Sequence, residues 1–246
     1  MLKLLKYEIK GQYRMTAALL VGIIVINFLA ISQGSRISHL GLWMVSLVLC
    51  VLSVTLSFVF AVESFNNDVY MKNGYLLFTL PQKSIKIIGS KLIFAVLQLW
   101  MLLCMSAVFL YVNGKRCEGY KLEAKIWNIL NEYIYISLMF IFLLVMVYFC
   151  TAIANSIIKR KKIGKTVTFI VVITFLVLLT KVNTVIANYF PKAITNFRTI
   201  CITSFSGNHV SGIVGYVNTA VIIVNGILLV AIFAVTVYLM DKKMEF

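Results

Sequence analysis

The sequence LWMVSLVLCVLSVTLSFVFAV occupies residues 42–62 and contains no charged side chain. An α-helix needs about 20 predominantly apolar residues to cross the hydrocarbon core of a bilayer. Glu63 ends the stretch, and the polar, glycine-containing segment 32–41 precedes it. Residues 42–62 therefore predict a transmembrane helix, and the fold class depends on how many such stretches the chain contains.

Five further apolar stretches resemble this one in length and composition. The six predicted spans are residues 15–31, 42–62, 92–112, 133–158, 167–180 and 219–240. The chain is 61% hydrophobic and 13% charged, with a mean hydropathy of +0.98, whereas about a quarter of the residues of a soluble domain are charged. We therefore predict an all-α integral membrane protein in which residues 1–246 form one domain. The fifth span is short and ends at Lys181, so it must tilt little, borrow from its flanks or contain a break.

Residues 1–14, MLKLLKYEIKGQYR, precede the first span and predict an amphipathic helix. Apolar residues recur at helical spacing, and basic residues recur at the same spacing one residue later. The apolar set is Leu2, Leu5, Ile9 and Tyr13, and the basic set is Lys3, Lys6, Lys10 and Arg14. A basic amphipathic helix of this kind lies in the membrane interface and does not cross the bilayer. The alternative is a disordered basic start.

The distribution of lysine and arginine predicts the direction of the spans. The two ends of the chain and the segments after the second and fourth spans hold fifteen of these residues, and the remaining segments hold eight. Since the richer side is cytoplasmic, both termini are predicted to be inside. Segment 115–125 contains more basic residues than an outer loop usually does, which speaks against this orientation. The run KRKK at 159–162 has no acidic neighbour to balance it, and it supports this orientation more strongly. The net charge of +15 fits anionic lipid headgroups, and nucleic-acid binding is not expected.

Five cysteines, an odd number, do not predict a disulfide framework. Cys50, Cys104 and Cys150 lie in apolar runs, where cysteine behaves as a small hydrophobe. Cys117 and Cys201 lie in predicted outer segments. They would pair only in an oxidising compartment and with Cα atoms less than about 7 Å apart.

Catalysis within the membrane is not expected, because the spans contain no paired carboxylates. His39 and His209 lack cysteine or carboxylate neighbours at ligand spacing, so we predict no metal site. The polar residues of the spans are expected to hydrogen-bond between helices; they are chiefly Asn27, Gln98, Asn155 and Asn225. Segment 164–166, GKT, lacks the earlier glycine of a phosphate-binding loop, so this chain does not bind ATP by that route.

The segment between the second and third spans is the most informative. Residues 63–93 read ESFNNDVYMKNGYLLFTLPQKSIKIIGSKLI. Asp68 is suited to cap a short helix, 73–74 breaks it, and Ser84 is suited to cap the third span. The apolar run 75–80 then predicts a surface for a partner protein. Its alternative role is packing beneath the membrane domain.

The runs 74–81, GYLLFTLP, and 87–92, IIGSKL, resemble the corresponding loop of type-2 ABC exporter permeases of Gram-positive bacteria. That family also has a basic amphipathic helix before its first span, six spans with both ends inside, and a longer outer segment between spans five and six. The resemblance covers the whole chain in architecture but only the segment 74–92 in motif.

The resemblance implies a transport subunit that is not itself an enzyme and carries no cofactor. A separate ATPase subunit would bind ATP and magnesium and dock on a coupling helix. The implied docking residues are Asp68, Tyr70, Tyr75, Leu77, Phe78, Leu80 and Pro81. A second cytoplasmic contact is implied at Lys159, Arg160, Lys161 and Lys162. Residues 182–217 resemble the re-entrant outer helices that cap the exit of these permeases.

The family further implies a second permease copy or a sister permease, membrane lipids as neighbours, and the plasma membrane of a Gram-positive bacterium. The spans contain few charges, so the expected cargo is hydrophobic or amphipathic, such as an antimicrobial or toxin-like peptide. Two alternatives remain. A non-transport membrane scaffold or assembly protein would use the same apolar loop without stimulating an ATPase, and an ion-coupled secondary transporter would require Lys181 or Glu132.

Overall fold

The computed structural model describes residues 2–33, 38–70, 84–115, 126–157, 161–190, 194–206 and 209–243. Six long helices follow one another along the chain, and an antiparallel hairpin separates the last two. The elements are α1 (Leu2–Ser32), α2 (His39–Tyr70), α3 (Ser84–Gly114), α4 (Ile126–Ile157), α5 (Lys161–Tyr189), β1 (Ile194–Ser206), β2 (His209–Asn218) and α6 (Thr219–Lys243).

Each predicted span lies on one of these helices, and all six helices are long and apolar enough to cross a membrane. The apolar stretches are Leu4–Ser32, Gly41–Asn67, Ser84–Gly114, Tyr133–Ala154, Thr166–Tyr189 and Thr219–Asp241. The prediction of a helical membrane protein with six spans is therefore confirmed. Six crossings return the chain to the side on which it starts, whereas the cytoplasmic location of that side stays a prediction.

Three helices extend beyond the bounds that the sequence predicted. Helix α1 is continuous, so residues 1–14 do not form a separate helix. Helix α2 runs on to Tyr70, which places Asp68 in its last turn and not at the cap of a new helix. Helix α5 continues through Lys181 to Tyr189. A charged residue lies at each predicted boundary, Arg14, Glu63 and Lys181 in turn, but such residues do not end a helix as glycine or proline do.

The described part of segment 182–217 differs from the helical form that the family resemblance implied. Residues 182–189 are the last turns of α5, and β1 pairs with β2 so that Arg198 lies opposite Tyr216 and Cys201 opposite Ile213. The strands are rich in isoleucine, threonine and valine, whose branched side chains favour extended structure. A role for this segment in capping an exit stays a prediction.

Asn218 joins the end of α5 to the beginning of α6. Its amide nitrogen donates to the carbonyl oxygen of Phe190 at 2.8 Å, and its Oδ1 accepts from the backbone N–H of Ala220 at 2.9 Å. The second bond is the N-cap bond that the first turn of a helix requires. The hairpin therefore begins and ends beside a fixed pair of helix ends.

Helices α3 and α4 form the centre of the bundle. About 39% of the α3 span and 56% of the α4 span are buried, against 11%, 6% and 11% of α1, α5 and α6. Helix α3 packs against α1 and α2, and α4 packs against α5 and α6. The two three-helix units meet where α2 and α3 contact α4 and where α3 contacts α6.

Aromatic packing joins the units at one end. The rings of Phe65 on α2 and Tyr148 on α4 stack with their centroids 4.0 Å apart and their planes at 17°. The Tyr148 hydroxyl also donates to the carbonyl oxygen of Ala61 at 3.3 Å. Leu144 and Met240 belong to the same buried cluster, so α2, α4 and α6 share one core here.

Candidate functional site

The predicted docking residues fall largely outside the described part of the chain. Asp68 and Tyr70 belong to the last turn of α2. The remaining members, Tyr75, Leu77, Phe78, Leu80 and Pro81, lie outside the described residues. The docking role of this set therefore stays a prediction, and the structure instead describes the helix ends on either side of it.

The predicted basic contact and the predicted outer disulfide each include residues that the structure describes and residues that it does not. Lys161 and Lys162 begin α5, whereas Lys159 and Arg160 lie outside the described residues. Cys201 lies on β1, and Cys117 is outside the described residues. The basic contact and the outer disulfide both stay predictions.

The helix ends beside the predicted docking segment form the best-described site. We call this region the inner end, because the lysine and arginine count predicts that it is cytoplasmic. It contains the beginnings of α1 and α3 and the ends of α2 and α6, since alternate helices run in opposite directions.

A buried ion pair joins three helices at the inner end. The Nζ of Lys91 on α3 lies 2.8 Å from Oε1 of Glu8 on α1, and it donates to the hydroxyl of Ser64 on α2 at 3.0 Å. Gln12 Nε2 donates to the second Glu8 oxygen at 3.5 Å. The Lys91 side chain is only 4% exposed and that of Glu8 20%. A buried ammonium requires such partners, so the contact fixes the relative position of α1, α2 and α3.

An open cleft of about 340 Å³ between α1 and α2 ends at this ion pair. Its wall includes Glu8, Ser64 and Lys91, together with the apolar side chains of Met15 and Phe60 and the exposed carboxylate of Glu63. The chain contains eight acidic residues and has a net charge of +15, yet two of those acids face this cleft. Since Lys91 compensates the charge of Glu8, the carboxylate of Glu63 is the uncompensated charge among the lining residues.

A second contact at the inner end joins α6 to α3. The backbone N–H of Ser84, the first residue of α3, donates to Oδ1 of Asp241 at 3.3 Å. An anion at a helix N-terminus satisfies a free N–H and interacts favourably with the helix dipole. The sequence predicted that Ser84 itself caps α3, whereas the structure places a carboxylate from the last helix there.

At the opposite end of the bundle a network of neutral side chains joins the same three helices. Asn113 Nδ2 donates to Ser46 Oγ at 2.7 Å, and Ser46 Oγ donates to Asn27 Oδ1 at 2.9 Å. Asn27 Nδ2 in turn donates to the carbonyl oxygen of Ile23 at 2.9 Å. All three polar side chains are almost fully buried. Helices α1, α2 and α3 are thus tied together at both ends.

The expectation that polar residues of the spans bond between helices is confirmed for Asn27. The Asn155 side chain lies outside the described residues. Among the described residues no hydrogen-bond partner is present for either amide atom of Gln98 or for Oδ1 of Asn225. Trp100 of α3 donates from Nε1 to the hydroxyl of Ser137 on α4 at 2.7 Å.

Sequence reasoning missed the ion pair and the three-helix networks. One signal was available, because four polar residues of α3 follow each other at about heptad spacing or its multiple: Ser84, Lys91, Gln98 and Asn113. Residues seven apart lie on nearly the same face of a helix, so this pattern indicates one polar face. Their partners are far away in the sequence and could not be assigned.

The six apolar helices and the buried contacts between them define a multi-pass helical membrane protein. Comparison with known proteins gives no matching family model, no matching curated protein and no matching solved structure.

Proposed function

We propose that this chain is the membrane-spanning subunit of an ATP-driven exporter, working with a separate ATPase subunit that binds ATP and magnesium. The observation that carries the proposal is the attachment of both helix ends beside the segment 71–83. The end of α2 is linked through Ser64 and Lys91 to Glu8 of α1. The beginning of α3 is linked through Ser84 to Asp241 of α6. A displacement of segment 71–83 therefore acts on four helices at once.

In this mechanism the apolar residues 75–80 dock in a groove of the ATPase. Closure of two ATPase subunits on ATP moves the docked segment, and the contacts of the inner end pass that movement into the spans. Six helices are too few to enclose a wide pathway, so a second copy or a sister permease completes it. The cargo is hydrophobic or amphipathic, with antimicrobial or toxin-like peptides as the leading class, and the location is the plasma membrane of a Gram-positive bacterium.

The experiment is an affinity purification of the tagged chain from its native membrane, with crosslinking, followed by an ATPase assay. We expect an ATPase with a complete phosphate-binding loop to copurify and its hydrolysis to be stimulated. The double variant Leu77→Asp/Phe78→Asp should lose both while staying in the membrane. Lys86→Glu is the matched control, because it changes the charge equally at an exposed position of α3 and should keep both.

Two results would refute parts of this proposal. Normal ATPase coupling in the double variant would show that residues 77–78 are not the dock. Repeated recovery of the chain without any ATPase would reject the exporter and favour a membrane scaffold.

An ion-coupled secondary transporter is the second candidate, and Lys181 is the observation that favours it. The sequence placed this lysine at the end of a span, but α5 continues beyond it to Tyr189. The Lys181 side chain is exposed on a helix whose apolar stretch reaches from Thr166 to Tyr189. A charged residue within a span is costly unless it faces a cavity or a partner.

A further inference from the structure

Helices α2 and α3 each carry four buried or half-buried polar side chains at regular spacing, and hydrogen bonds between the two helices join the pair at each end. On α2 these are Ser46, Ser53, Ser57 and Ser64, and on α3 they are Lys91, Gln98, Ser106 and Asn113. Seven of the eight are buried, and Ser64 is half-buried. Their spacing of about four or seven residues keeps each set on one helix face. We call these eight side chains the polar seam.

The two ends of the polar seam are bonded across the helices, whereas its middle is not. Lys91 bonds to Ser64 and Asn113 to Ser46, as described above. The hydroxyls of Ser53 and Ser106 donate to carbonyl oxygens of their own helices, each at 2.7 Å.

Ser57 and Gln98 are the remaining members of the seam. Among the described residues the Ser57 hydroxyl and both amide atoms of Gln98 have no partner, although these residues are 0% and 2% exposed. A buried polar group without a hydrogen-bond partner destabilises the folded state, so a ligand that bonds to both side chains would stabilise it.

These two unpartnered residues lie at one depth, each on nearly the same helix face as a residue that bonds between α2 and α3. Ser57 lies seven residues before Ser64, and Gln98 lies seven residues after Lys91. Seven residues make two helical turns, or about 10.5 Å, on nearly the same face. Because α2 and α3 are antiparallel and Lys91 contacts Ser64, two turns deeper on each helix leads to the same level.

The chemistry of the two groups favours water as their ligand. A direct bond between Ser57 and Gln98 would satisfy the hydroxyl and only one of the two amide atoms. A water molecule donates and accepts, so it bonds to several otherwise unsatisfied groups together. Ser57 and Gln98 offer one oxygen ligand each, fewer than the roughly six to eight oxygen ligands that a cation such as Ca²⁺ takes, so water fits the pair better than an ion does. Ser64 and Lys91, which lie two turns away, line the open cleft at the inner end.

We propose that the polar seam holds internal water at Ser57 and Gln98, exchanging with solution through the cleft at the inner end. In the middle of the α2–α3 contact, the hydrogen bonds of Ser57 and Gln98 would then be made to water molecules that exchange, and not to fixed side chains. The inference does not rest on the exporter proposal, since it follows from burial and hydrogen bonding alone.

Hydrogen–deuterium exchange of single thiols tests this directly. In a background in which all five native cysteines are replaced, Ser57→Cys and Gln98→Cys each place one thiol in the seam of the full chain in membranes. Loss of the infrared S–H band after transfer to D₂O then measures access by water itself. The controls are Leu99→Cys and Leu144→Cys, at positions that are 0% exposed in apolar surroundings.

We expect the seam thiols to exchange at least about 100-fold faster than the controls, which must await local opening of the bundle. Equally slow exchange at all four positions would overturn the proposal, because it would show a dry seam. Equally fast exchange at all four would also overturn it, because it would reflect general opening of the bundle. Ser57→Cys changes only oxygen to sulfur, so it carries the test if Gln98→Cys fails to fold.

Discussion

Replacing Glu8 with glutamine tests the ion pair that holds α1 against α3. The substitution preserves the size of the side chain but removes the charge that lies 2.8 Å from Lys91 Nζ. Because the Lys91 side chain is only 4% exposed, bulk water reaches its ammonium poorly. Loss of one partner from a buried pair costs about 3–5 kcal/mol. We expect about 3 kcal/mol, the lower value, because Ser64 keeps its bond to Lys91 and Glu8 faces an open cleft.

Thermal unfolding in detergent micelles measures the effect. For a chain of this length, about 3 kcal/mol corresponds to a decrease in Tm of about 6–12 °C. Glu63→Gln is the matched control, since its exposed carboxylate lines the same cleft and its replacement should change the stability by less than about 0.5 kcal/mol. The double variant Glu8→Gln/Lys91→Met removes both charges and should recover more than half of the loss.

Two outcomes would refute the reasoning. Equal decreases in Tm for Glu8→Gln and Glu63→Gln would show that the pair contributes nothing beyond general charge. A double variant as unstable as the sum of its single variants would show that the two charges act independently.

Three further changes test the remaining contacts. Asn113→Leu removes the bond from α3 to α2 and should lower the free energy of unfolding by about 1 kcal/mol. Asn225 is the control, because its Oδ1 has no partner among the described residues, and denaturation of Asn225→Leu should differ little from that of the wild type. Asp241→Ala removes the carboxylate at the first turn of α3 and should cost about 1 kcal/mol, and an unchanged Tm would contradict that cap. Lys181→Ala should leave transport into inverted vesicles unchanged. Loss of transport in a correctly inserted Lys181→Ala variant would favour the ion-coupled transporter.

The number and position of the spans were predictable because both depend on local properties. A run such as 42–62 is apolar throughout, and the thickness of the bilayer sets the length that it must have. Errors occurred at helix ends, where the apolar pattern and the helix stop at different residues. Lys181 interrupts the apolar pattern of the fifth span, yet the backbone continues as a helix to Tyr189. Asp68 is a residue type that often caps the N-terminus of a helix, yet it lies in the last turn of α2.

The candidate site was only partly predictable. The sequence placed Lys91 in the segment that sets the topology and predicted an interfacial role for the segment that contains Glu8. Neither prediction indicated that Glu8 and Lys91 are in contact. The two residues belong to α1 and α3, and α2 lies between these helices in the chain. The heptad spacing of Lys91 and Gln98 was visible, but spacing identifies a face and not the helix that covers it.

The sequence by itself therefore determined a membrane protein with six spans and the approximate extent of each span. Hydropathy and helix propensity are set by the residues of one segment, so the sequence of that segment is enough to predict them. Only the tertiary structure decided that Glu8, Ser64 and Lys91 meet, that Asp241 caps α3, and that Ser57 and Gln98 remain without a partner among the described residues. A buried polar group needs a partner on another helix, and the packing of the whole bundle determines which helix that is.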